Sequence, residues 1–170
     1  MNPAHRRYLL MEQGVGAAVV NFLLNALIAA VVFRHYAVVP LWGQQSIAGD
    51  TVGTTFVLPL LTCLIVTRLA HRQIRAGTLA QLDWTRTSHT LLGWLPTGTL
   101  ARAAVLGVVC AVLTAPATVW MLAALDVTAM SFGWFVLFKA TFAAALAAIV
   151  TPVVALWAIS RIEPPPVPNP

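Results

Sequence analysis

Four runs of apolar residues, each long enough to cross a bilayer, alternate along the chain with shorter polar stretches. The first, 14–33, has 20 residues. At about 1.5 Å per residue it covers about 30 Å, the thickness of a membrane's hydrocarbon layer. The others are 51–69, 103–125 and 132–159. The last has 28 residues, longer than a bilayer needs, so it is expected to tilt, kink at Pro152 or project. The pattern predicts an all-α integral membrane protein with four transmembrane helices in a bundle.

Between the first two runs, Pro40, Gly43 and Gly49 break regular structure, while Tyr36, Leu41 and Trp42 suit a headgroup zone. An ordered surface loop is expected there, and a tight turn at 126–131. The segment 70–102 is more polar. Its leucines and tryptophans recur at helical spacing among Arg72, Arg75 and Arg86. That pattern predicts two short interfacial helices, the second ended by Gly93, Pro96 and Gly98. Five prolines in the last seven residues make 164–170 an extended tail. A single membrane domain over 1–163 accounts for the rest.

The second run carries the densest polar chemistry. From Gly49 to Arg68 it contains Asp50, five threonines, Pro59 and Cys63. In hydrocarbon each hydroxyl needs a partner, and Pro59 leaves the Thr55 carbonyl without its helical donor. Such groups are expected to face other helices or a wet cavity. Gly49 and Gly53 form a GxxxG spacing and Ala143–Ala148 a small-residue run, both packing aids.

Composition agrees with this reading: 59% of residues are hydrophobic and 9% charged, against about 25% charged in soluble domains. The net charge of +5 sits beside the apolar runs, where it sets topology, and nucleic acid is not an expected partner. Arg6, Arg7, Arg68, Arg72, Arg75, Arg86, Arg102 and Arg161 fall on one side and Arg34 on the other. The positive-inside rule then predicts that both termini and the 70–102 loop are cytoplasmic. Abundant arginine and alanine fit a GC-rich bacterial coding sequence, hence a bacterial inner membrane. Cys63 and Cys110 are too few for a disulfide framework. The histidines lack ligand spacing and no hydrolase or nucleotide motif occurs, so no metal, cofactor or catalytic residue is expected.

Lys139 lies inside the fourth run, where a lysine costs a few kcal/mol and requires a partner or water. Counted at 1.5 Å per residue, it is about 10 Å deep, Thr54 and Thr55 about 6–8 Å and Asn25 about 13 Å. Asn21 and Asn25 share one helix face. With Asp50 at the mouth of the second helix, these residues form a candidate polar layer. Its structural reading is a Lys139–Asp50 bridge or a snorkelling lysine, with the amides and hydroxyls as interhelical glue. Its functional reading is an uptake site for an anion, a polar solute or a lipid headgroup. Glu12, at the inner start of the first helix, is compatible with proton coupling or with a simple helix-dipole role.

Four spans with a glutamate beside the first resemble the small multidrug resistance transporters in outline. That family is much shorter, holds its glutamate at mid-membrane and has no counterpart of the 70–102 segment, so no family is assigned. The expected function is an oligomeric transporter or channel for a small polar solute or ion. The rival is a non-catalytic membrane subunit or sensor whose Arg72, Arg75, Arg86, Trp84 and Trp94 contact anionic lipid or a partner protein. A homo-oligomer is expected, since four helices enclose little interior.

Overall fold

The computed structural model describes residues 8–78, 96 and 98–160. The two interfacial helices, Arg86, Trp84, Trp94, the flanking Arg6, Arg7 and Arg161, and the 164–170 tail lie outside the described residues. The fold is helical. A π-helical segment, Tyr8–Gly16, runs directly into α1 (Ala17–Val32). After α1 come β1 (Val38–Pro40), α2 (Ile47–Arg75), α3 (Thr99–Ala124), β2 (Ala129–Ser131) and α4 (Phe132–Ser160). Four helical stretches are long and apolar enough to cross a membrane: Tyr8–Val32, Ile47–Arg75, Thr99–Ala124 and Phe132–Ile159.

Four boundaries differ from the sequence expectation, one of them the start of the third helix, at Thr99 rather than at 103. The first helix starts at Tyr8 rather than at 14, because Leu9–Gln13 contains no breaker. The second extends from Ile47 to Arg75 rather than 51–69. Polar residues end an apolar run without ending a helix, and the first breaker beyond it is Gly77, at φ +70°. There Gly77 N–H donates to the Ile74 carbonyl at 3.0 Å. At the other end Ser46 caps α2: its Oγ accepts from Gly49 N–H at 3.1 Å and donates to the Gly43 carbonyl at 2.9 Å. Arg72 and Arg75 therefore belong to the last turns of α2, where cations complement the helix dipole, and not to a separate interfacial helix.

The expected loop and turn at one end are instead a two-stranded antiparallel ribbon, with Val38 opposite Ser131, Val39 opposite Met130 and Pro40 opposite Ala129. Pro40 is tolerated because each strand is an edge. The ribbon is extended by Leu41 N–H to the Thr128 carbonyl at 2.8 Å and Phe132 N–H to the Ala37 carbonyl at 3.0 Å. Asp126 turns the chain out of α3 with φ +56°, a conformation that aspartate tolerates better than most residues. Below the ribbon, the Phe33 and Phe135 rings pack at a tilt of 59° with centroids 4.6 Å apart, alongside Ala29, Val39, Ile47, Val119 and Leu122.

Spatial order departs from chain order. α1 packs on α4, α4 on α2, and α2 on α3, while α1 and α2 hardly meet. α4 and α2 are the central pair, and α1 and α3 are the flanks. Ala143 and Ala147 of the small-residue run are fully buried on α4. Gly53 meets nothing within 4 Å of an added Cβ, so the GxxxG spacing does not mediate a close crossing. The close approach is at Gly107 of α3, where a Cβ would lie 2.9 Å from the Phe56 carbonyl oxygen of α2.

Candidate functional site: a groove with two polar ends

Because α1 and α2 both lean on α4 without closing on each other, a groove of about 710 Å³ runs between them, floored by α4. It extends from Asp50, Lys139 and Asn25 at the ribbon end to Glu12, Gln13 and Thr151 at the opposite, far end. Its middle is walled mainly by Val20, Leu24, Val57, Leu58, Leu61 and Ile65, with Asn21 and Thr62 among them. Spread over about 24 Å of helix axis between Glu12 and Ile28, the volume of about 710 Å³ gives a mean cross-section of about 30 Å². That breadth matches a hydrocarbon chain better than a helix, which with its side chains is about 10–12 Å across.

At the ribbon end Lys139, 5% exposed, directs its Nζ onto Asp50 Oδ1. The second turn of α4 and the first turn of α2 thus bring the two opposite charges together. Thr54, one turn on from Asp50, points its hydroxyl at the same carboxylate. The amides of α1 turn inward on their own helix: Asn25 Nδ2 donates to the Asn21 carbonyl at 3.0 Å, and Asn21 Nδ2 to the Ala17 carbonyl at 2.9 Å. Thr51 and Thr55 likewise donate to the Ile47 and Thr51 carbonyls at 2.7 and 2.9 Å. Lys139, Asp50, Asn25, Asn21 and Thr54 line the groove. Thr55 does not: it is fully buried in the body of the bundle.

The far end is built differently. Thr151 is 2% exposed, yet its Oγ1 finds no hydrogen-bond partner among the described residues. It precedes Pro152, which lies against the buried Gly14 of the π-helical segment: a Cβ on Gly14 would come within 3.9 Å of Pro152 Cγ. Gln13 is buried beside it, and Glu12 is exposed at the groove's lip. Arg72 and Arg75 are exposed beyond it on α2.

Arg102, read from the sequence as a topology-setting cation, is a buried structural residue at 1% exposure. Its guanidinium lies 3.2 Å from the centroid of the Trp157 ring. It also donates to Thr67 Oγ1 at 3.3 Å and the Pro96 carbonyl at 3.5 Å. A cation in the first turn of α3 opposes the helix dipole, and the stacking and hydrogen bonds offset that cost. The result joins α2, α3 and α4 at the far end. Among the described residues no group of three or more His, Cys, Asp or Glu could hold a metal.

Sequence reasoning missed Thr151, Gln13, Arg102 and Trp157. A faint signal existed for the first, a threonine set directly before a proline inside an apolar run. Comparison with protein families, with curated proteins and with solved structures finds no match for this chain.

Proposed function

We propose that this chain is a multi-pass membrane protein that binds an amphiphile, its apolar chain lying along the groove between α1 and α2. The observation that carries the reading is the groove itself, slender, mostly apolar through its middle and charged at both ends. A path for a hydrated ion or small solute requires polar groups along its length, and here the middle offers mostly leucine, valine and isoleucine, with Thr62 and with Asn21, whose amide is already spent on the Ala17 carbonyl. The transport expectation is accordingly narrowed: a moving cargo would be a lipid-like molecule and not a free ion.

In this reading the far end faces the cytoplasm, since exposed Arg68, Arg72 and Arg75 lie there against Arg34 at the ribbon end. Trp42, Trp120 and Trp134, all exposed near the ribbon end, fall where aromatic belts sit.

Native mass spectrometry of the full chain released from lipid nanodiscs tests the proposal. One retained lipid per chain is expected, and it should be lost when Leu24→Trp and Leu61→Trp together fill the groove. Retention by the filled variant, or no retained lipid in the unaltered protein, would refute it. The same spectrum reads the oligomeric state.

A further inference from the structure

Threonines within these helices commonly spend their hydroxyl on the carbonyl one turn back. Thr51, Thr55, Thr114 and Thr141 do so at 2.7, 2.9, 2.6 and 2.8 Å, the usual helical arrangement. Thr151 lines the groove and is almost wholly buried, but its hydroxyl is left without a protein partner among the described residues. An unmade hydrogen bond in a buried place is costly, and Thr151 borders the groove.

Two more polar side chains border the same space: the Gln13 amide, itself buried, and the Glu12 carboxylate. Both come from the π-helical segment, and irregular turns of that kind recur at functional sites. At the ribbon end the charges lining the groove cancel, Lys139 against Asp50. Glu12 has no ion-pair partner among the described residues, so the lining carries one net negative charge, at the far end.

We propose that the far end of the groove is a subsite for a primary-ammonium headgroup, with Glu12 taking the charge and Gln13 and Thr151 accepting N–H hydrogen bonds. The amphiphile's chain then runs from this subsite toward Asn25. The inference rests on the groove reading and adds the chemistry and orientation of what it holds. A primary ammonium offers three N–H donors to three acceptors. A trimethylammonium offers none, and an anionic headgroup is repelled by Glu12.

The test uses the full chain in nanodiscs holding equal amounts of phosphatidylethanolamine and phosphatidylcholine with identical acyl chains, and separately phosphatidylethanolamine and phosphatidylglycerol. Retained lipid is read by native mass spectrometry. The unaltered protein should enrich phosphatidylethanolamine about tenfold in both mixtures, the effect of one charge-assisted hydrogen bond. Glu12→Gln and Thr151→Val should each bring the ratio close to that of the bulk while total retained lipid stays the same. Glu12 is exposed and Thr151→Val preserves shape, so unchanged thermal midpoints serve as the folding check. The competing headgroup without chains, phosphoethanolamine, should displace the lipid at least tenfold less well than the intact lipid does.

Lipid retained without headgroup preference would overturn this subsite and leave the groove reading standing. No retained lipid at all would overturn both. A phosphatidylglycerol preference abolished by Arg72→Gln would assign the mouth to the arginine and refute the ammonium subsite. Displacement by phosphoethanolamine as effective as by intact lipid would also refute it.

Discussion

The two ends of the bundle solve the same problem, polar groups beside apolar helices, in opposite ways. At the ribbon end each polar group traced above is satisfied from within. Lys139 meets Asp50, the asparagines and threonines bond to their own helices, and a β-ribbon ties the loops across the top. At the far end Tyr8 Oη, His71 Nε2, Gln73 Oε1 and Thr151 Oγ1 are buried without partners among the described residues. Only the Arg102 corner is closed. Since partnering buried polar groups is the rule, the satisfied end reads as a structural clamp, and an outside molecule is proposed at the other.

The largest test of this contrast falls on the clamp. Lys139→Met or Asp50→Asn alone should each cost about 3–5 kcal/mol by stranding a poorly solvated charge, and the double variant should recover part of the loss. Thermal unfolding in detergent measures all three. Effects that simply add would mean that the pair does not stabilise the fold, and the ribbon end would lose its structural assignment.

Next in size is the closed corner of the far end. Arg102→Met should cost about 2 kcal/mol or more through the lost cation–π contact and hydrogen bonds. Trp157→Leu should cost a similar amount and the double variant less than the sum. Additive losses in the same unfolding assay would show that the corner is not held by that contact.

The smallest effect is the sharpest. Thr55→Val at the satisfied side should cost about 0.5–1 kcal/mol, whereas Thr151→Val at the unsatisfied side should be neutral or slightly stabilising, because it removes a hydroxyl that makes no bond. Equal losses would erase the difference between the ends.

What was legible in the sequence follows from what is local. The four helices could be read from apolar run length, and the Lys139–Asp50 contact from opposite charges at similar depth on two helices that both start at the same end of the bundle. Helix ends were misjudged where polarity was taken for a stop signal, as at Ala70–Arg75, although no breaker appears before Gly77. The ribbon was hidden because three-residue strands at Val38–Pro40 and Ala129–Ser131 carry no periodicity and pair across most of the chain. Gly49 and Gly53 matched a packing motif whose orientation the pattern does not encode, and isolated Gly107 made the close crossing. The groove depends on α4 lying between α1 and α2, a matter of long-range order with no signature in any single segment.

That order also bears on how the molecule is made. α2 can settle on α3, its successor in the chain, as soon as both have left the ribosome. α1 must wait for α4, because its packing partner and the strand that completes its ribbon both arrive last. About 100 residues separate the end of α1 from the start of α4, so at synthesis rates of about 5–20 residues per second α1 stays unaccompanied for about 5–20 s. During that interval its two asparagines can stay bonded back onto their own helix, at 2.9 and 3.0 Å in the finished fold. The back-bonding that is one of several contacts in the finished bundle also keeps these amides partnered while the helix is alone.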